Sequence, residues 1–133
     1  MMPSRPHRLT LGWRPRACHI AGMLLLNGVT AITLRSSVGS LEEEVEAAAD
    51  RLFALALSEG ACSADLHALT VFVRDGISPE ELRAGLRSHH GLRHTCISII
   101  EVPSLVRSWI NVQFNAIFNL QTMLDQEGGS SRE

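Results

Sequence analysis

An α+β layer, with two helices covering one face of a mixed β-sheet, is the architecture this sequence predicts. Two serine-initiated capping sequences open two amphipathic stretches, and short runs rich in β-branched and apolar residues surround them. The order is several strands, a long helix, a strand, a short helix and two strands, with no internal repeat. A single domain over residues 1–124 is expected, followed by a polar, glycine- and serine-rich tail over 125–133.

Arg8 to Trp13 and Ala17 to Ala21 are candidate short strands. Met23 to Leu26 is an apolar run ended by Asn27-Gly28, a turn or strand-end signal, and Val29 to Leu34 continues as another strand. A loop over Ser36 to Ser40 leads into Ser40-Leu41-Glu42-Glu43, a capping box. Leu41, Val45, Ala48, Ala49, Leu52 and Ala56 then recur at three- and four-residue steps as one apolar stripe. Glu42, Glu43, Glu44 and Glu46 crowd the first turns, where negative charge complements the helix dipole, and Gly60 supplies the stop.

Leu66 to Arg74 reads as a strand, dense in Leu69, Thr70, Val71, Phe72 and Val73. Ser78-Pro79-Glu80-Glu81 is a second capping box with proline at the first helical position, where its missing N–H matters least. Leu82 and Leu86 give that helix its apolar edge and Gly91 ends it. His94 to Val102 and Trp109 to Phe118 complete the set, and in the latter Ile110, Val112 and Phe114 alternate with Asn111, Gln113 and Asn115. Helices on one sheet face leave the other to be covered, and Met23, Leu25, Ile99 and Phe114 are candidates for that second surface.

The 133 residues are 45% hydrophobic and 20% charged, ordinary for a globular core. A net charge of −2 gives no electrostatic reason to expect nucleic acid or an acidic membrane as partner, and the cluster Arg5, Arg8, Arg14 and Arg16 reads as a solvated or subunit-edge group. The longest apolar run, Ile20 to Leu34, is interrupted by Gly22, Asn27, Gly28, Thr30 and Thr33 and is too short to span a bilayer. The three cysteines, Cys18, Cys62 and Cys96, have neither CxxC nor regular spacing, so reduced thiols are expected. A cytoplasmic protein without metal or cofactor follows as the expectation. His89 and His90 are not a zinc pair by spacing, because adjacent helix positions do not face each other.

The run His94-Thr95-Cys96-Ile97-Ser98-Ile99-Ile100-Glu101-Val102-Pro103 carries the functional question. With a period of two, His94, Cys96 and Ser98 share a polar face, and Thr95, Ile97 and Ile99 share the other. The run resembles the R-S-C-V-E-V-x-x-L-P strand of the Rid family (YjgF, also called endoribonuclease L-PSP). Ala21-Gly22 through Asn27-Gly28 is similar to the family's A-G-D-L-L-F-x-S-G strand, Leu52 to Asp75 to the stretch that enters its V-x-V-x-D strand, and Val112 to Ile117 to its closing I-E-I-E-A-I segment. The likeness spans residues 17 to 118.

That resemblance implies a RidA/chorismate mutase-like fold, a homotrimeric barrel with clefts between subunits, and a small-molecule substrate. In active members an arginine binds a substrate carboxylate, and a glutamate-held water serves hydrolysis of a 2-imino acid or its enamine tautomer to a 2-keto acid and ammonia. Aligned on Pro103, the arginine position holds His94 and the glutamate position Gln113, whereas alignment on Arg93 loses the Thr-Cys match. Glutamine neither gains nor loses a proton at working pH, while histidine titrates near neutrality.

The candidate catalytic residues are therefore His94 and Gln113, and the candidate substrate-binding residues Arg93, Asn27, Gly28, Cys96 and Trp13. By residue type alone His94 is also a satisfied structural histidine, Cys96 a buried thiol, and Trp13 and Trp109 packing residues. Two function classes stand: a retasked enzyme on an imine, enamine or related carbonyl compound, placed in a biosynthetic pathway, and a non-catalytic binding or regulatory trimer. RNA cleavage is disfavoured because no basic groove with interleaved aromatics is present.

Overall fold

The computed structural model describes residues 15–31, 40–93, 95–105 and 109–120. The expected strand Arg8–Trp13, the arginines Arg5, Arg8 and Arg14, His94 and the 125–133 tail lie outside the described residues, as do most of the 36–40 loop and the second half of Val29–Leu34.

Five strands form one sheet in the order β1-β2-β5-β3-β4: β1 Arg16–Ile20, β2 Met23–Val29, β3 Leu66–Arg74, β4 Cys96–Val102 and β5 Val112–Asn119. All neighbours are antiparallel except β3 and β4, which run parallel and are joined through the second helix. Helix α1, Leu41–Ser58, and helix α2, Pro79–Ser88, share one hydrophobic core with a single face of the sheet. The mixed α+β architecture is thus the one the sequence predicts.

β1 and β2 form a hairpin through Ala21-Gly22, both at positive φ, 51° and 77°, the two-residue turn whose twist matches that of the strands it joins. Asn27-Gly28 does not end β2. Gly28 adopts φ of 80° inside the strand, and the pairing with β5 shifts register between Leu26 and Val29, so the glycine makes a bulge and the strand runs on to Val29. Thr30 and Ala31, expected to continue a separate strand, lie beyond it.

The Ser40 box closes fully: the Glu43 amide donates to Ser40 Oγ at 3.1 Å and the Ser40 amide to Glu43 Oε1 at 3.0 Å. At Ser78 only the first bond is made, from the Glu81 amide at 3.3 Å. Helix α2 ends at Ser88, ahead of the expected Gly91, which lies in a following 3-10 turn, His90–Leu92.

Val45, Ala48, Ala49, Leu52 and Ala56 are fully buried and face Leu24, Leu26, Leu69, Val71, Phe114 and Phe118 from the sheet. Phe114 and the half-buried Ile99 therefore belong to the helix-covered face. Of the four residues expected on the open face, Met23 and Leu25 alone are there, because each shares its strand parity with exposed neighbours while Phe114 shares that of Val112 and Phe118. No described helix is long and apolar enough to cross a membrane.

One of the first-turn glutamates does more than meet the helix dipole. Glu44, 2% exposed, accepts from the amides of Asn111 at 2.8 Å and Val112 at 3.2 Å and from the Asn111 side-chain amide at 2.8 Å. The other side of that amide, Asn111 Oδ1, accepts from the Arg74 guanidinium at the end of β3. Replacing Glu44 by Gln turns an acceptor-only carboxylate into a group that presents donors to donors, and the expected loss is about 2–3 kcal/mol. Urea denaturation monitored by far-UV circular dichroism measures it, and an unchanged midpoint refutes the role.

Candidate functional site

The uncovered face of the sheet is readable row by row from the strand register. One row crosses Cys18, Leu25, Ile117, Ala68 and Cys96, the next Asn115, Thr70 and Ser98, and a third Gln113, Phe72 and Ile100. Most of these side chains are half-buried, while Cys96, Ser98 and Ile100 on the edge strand are exposed, Ile100 to 45%. The face thus mixes apolar residues with a band of side-chain amides and hydroxyls, unlike the apolar rows of β2, β3 and β5 that are buried under the helices.

At the centre of the band the β2 bulge meets β5. The Gly28 amide, turned out of the ladder by its positive φ, donates to Asn115 Oδ1 at 2.9 Å. Asn27 beside it is exposed, and Gln113, half-buried, lies two residues from Asn115 on the same face. Three expected site residues, Asn27, Gly28 and Gln113, are therefore neighbours. Asn115 joins them, a residue whose place beside Gln113 is visible in the period-two pattern of the strand.

Cys96 is distant from this group. Its row partner on β3 is Ala68, while that of Gln113 is Phe72, four residues along. Four steps of about 3.3 Å combined with two strand spacings of about 4.8 Å separate the two by roughly 16 Å. Cys96 is an exposed free thiol, as are Cys18 and Cys62, so the buried fate expected of Cys96 is not the one it has. His94 and Trp13 lie outside the described residues. Trp109 is half-buried just ahead of β5.

Arg93 belongs to the opposite side. It closes the 3-10 turn after α2 with helical φ and ψ, −60° and −34°, and lines a groove of about 310 Å³ between α2 and the edge strand β4. Arg83 and Arg87 from α2 stand on the same groove, and Leu86, Leu92, Ile97 and Ile99 with Thr95 line it. The expected grouping of Arg93 with Cys96 fails because successive residues entering β4 face alternate sides of the sheet.

The turn that carries Arg93 is held by His89, 7% exposed. Its Nδ1 accepts from the Gly91 amide at 3.1 Å, which leaves the proton on Nε2 to donate to Asp50 Oδ1 of α1 at 2.8 Å. The ring stacks on Phe53 at 5.6 Å and on His90 at 5.0 Å, and Phe53 meets Phe118 edge-on. The histidine pair is therefore a packing element, and among the described residues no cluster of three His, Cys, Asp or Glu is arranged to hold a metal ion. On α1, Arg51 donates to the Thr30 carbonyl at 2.9 Å and so fixes the chain leaving β2, and burial lowers the proton affinity of its guanidinium.

No protein-family model matches the chain, and no curated protein sequence matches it. Solved structures do match. A YjgF/YER057c/UK114-family protein from Mycobacterium tuberculosis aligns with a TM-score of 0.65 at 21% identity, over 78% of this chain and 84% of that one. RidA from the Antarctic bacterium Psychrobacter aligns with a TM-score of 0.66 at 14% identity, over 77% and 85%. A Rid-family protein from Yersinia pestis aligns at 0.67 and 18% identity, over 77% and 84%. The chain has the fold of the Rid proteins.

A Cβ on Gly91 would stand 2.6 Å from Cε2 of Phe53, whose ring is already wedged between His89 and Phe118. Gly91→Ala is expected to destabilise the protein by about 1–3 kcal/mol and to accelerate amide exchange across residues 89–93. Thermal denaturation and hydrogen exchange read the two effects, and exchange unchanged in that turn would show that the ring yields freely.

Proposed function

We propose that this chain is a divergent Rid-family protein that binds a small imine, enamine or related carbonyl compound between the protomers of a homotrimer, with His94 and Gln113 in place of the family's arginine and glutamate. The observation that carries the reading is the open sheet face, which presents Asn27, Gly28, Asn115 and Gln113 as a polar centre within half-buried apolar surroundings. Such a face needs a cover, and a second copy of the same sheet is a suitable one. The roughly 16 Å between Gln113 and Cys96 is too far for one small ligand to touch both in one protomer, and is consistent with a site completed by a neighbour.

In the enzyme reading, water adds to the C=N carbon of a 2-imino acid, one of its protons passes to nitrogen, and ammonia leaves with the remaining hydroxyl proton as the C=O bond forms. Gln113 orients the water or the substrate without exchanging a proton, and the titratable group is the imidazole of His94. Arg93 does not take over the missing guanidinium, since it lines the groove on the other side of the sheet. A second reading, a non-catalytic binding trimer, is favoured by one observation: the glutamate position holds a residue that cannot act as a base. A place in a biosynthetic pathway fits either reading.

Ammonia and keto-acid release from imino acids generated in situ by an amino-acid oxidase separates the two. The unmodified protein is expected to release both, and His94→Ala to lower kcat/KM by about a hundredfold, the lower end of what a positioned acid or base supplies. No release by the unmodified protein, with release gained in a His94→Arg, Gln113→Glu variant, would establish the binding reading instead.

Sedimentation equilibrium is expected to return about three times the 14.6 kDa chain mass. Ile100→Glu, on the open face, is expected to lower it. A soluble monomer with full activity contradicts an inter-subunit site.

A further inference from the structure

The groove between α2 and β4 is not used by the reading above, and it lies on the other face of the same strand. Thr95, Ile97 and Ile99 point into it, whereas Cys96, Ser98 and Ile100 belong to the open face. Its volume of about 310 Å³ is at the small end of the range of ligand pockets, roughly 300–1,000 Å³.

Its charge is one-sided. Arg83, Arg87 and Arg93 all line it, no acidic side chain among the described residues does, and none of the three guanidinium groups is hydrogen-bonded or ion-paired to a described residue. Arg83 and Arg87 are four apart on α2, a spacing at which like charges repel on a helix surface. Arg87 lies in the last turn, where a cation meets the helix dipole, but that accounts for neither Arg83 nor Arg93. The chain as a whole is net negative, so this local excess of positive charge is not a reflection of composition.

Beneath the arginines the groove is aliphatic. Leu86 and Leu92 are almost wholly buried, and Ile97 and Ile99 are half-buried with their remaining surface turned to it. Guanidinium forks match the oxygen geometry of carboxylate and phosphate, and an aliphatic floor gains free energy when an apolar body displaces water from it. From this juxtaposition we infer that the groove is a binding site for an amphipathic organic anion, a carboxylate or phosphate head held by Arg83, Arg87 and Arg93 with its apolar body on Leu86, Ile97 and Ile99.

Titration calorimetry of the full chain with octanoate and with phenyl phosphate tests this, with 1-octanol and inorganic phosphate as the probes lacking head or body. Octanoate or phenyl phosphate is expected to bind more tightly than either control, and more weakly as salt is raised. Because Arg83 and Arg87 are exposed, Arg83→Gln, Arg87→Gln is expected to keep the melting temperature and to weaken binding by about tenfold or more, the equivalent of one charge-assisted hydrogen bond. Affinity unchanged in that variant, salt-independent affinity in the unmodified protein, or no binding of either amphiphile at millimolar concentration overturns the inference. Gln113→Ala, on the opposite face, is expected to leave octanoate binding intact, so failure of the deaminase or trimer reading does not carry over to this one.

Discussion

The buried carboxylate of Glu44 is the contact on which the arrangement of layers depends. It sits in the first turn of α1 and accepts three hydrogen bonds from the residues that lead into β5, the strand lying between β2 and β3 in the sheet. Asn111 is oriented by the same contact, its nitrogen toward Glu44 and its oxygen toward Arg74 at the end of β3. A helix, a central strand and a neighbouring strand are thereby fixed at one end of the molecule by a single relay from carboxylate to guanidinium. The negative charge is offset by donors and by the nearby cation, which makes an ionised side chain at 2% exposure tolerable. Alanines at 48, 49 and 56 then let α1 lie close against the sheet, so the polar anchor sets position and the apolar stripe supplies most of the burial.

With both helices committed to one face, the other face is left with a composition that neither water nor a core suits well. Leu25, Ile117 and Phe72 are apolar, yet Asn115, Thr70 and Gln113 lie among them. A face meant only for solvent would carry more charge, and one meant only for a subunit contact would carry fewer side-chain amides, which are costly to bury without partners. The bulge at Gly28 fits a third use. It removes one amide from the ladder and aims it at Asn115, so that backbone and side-chain polar groups converge on one point of the face.

Much of the fold was legible because its signals are local. The strand Leu66–Arg74 and the Ser40 box stand as read, since β-branched density and reciprocal capping are decided within a few residues. By residue type Glu44 is one of several dipole charges, although it lies three residues after Leu41 and four before Ala48 and therefore on the buried stripe. Type outweighed phase. Asn27-Gly28 reads as an ending from sequence because positive φ serves turns and bulges alike, and only the partner strand distinguishes them. Parity placed Ile99 and Phe114 correctly relative to their strand neighbours, but which parity faces the helices is settled by packing between elements distant in sequence.

The site was less legible for a related reason. Sequence adjacency grouped Arg93 with Cys96, and the register of β4 divides them between the two faces of an edge strand. Arg83 and Arg87 carry no signal in the sequence, since two arginines on a short helix look like a solvated surface until a third from the following turn is brought beside them over an aliphatic floor. The same division bears on chemistry. The Arg93 guanidinium lines the groove under α2 and is divided from the open face by the sheet, and Gln113 offers that face an amide that donates and accepts without exchanging a proton. The open face gathers the side chains of Asn115, Gln113 and Thr70 around the Gly28 bulge, a set of amides and a hydroxyl that donates and accepts hydrogen bonds without exchanging a proton.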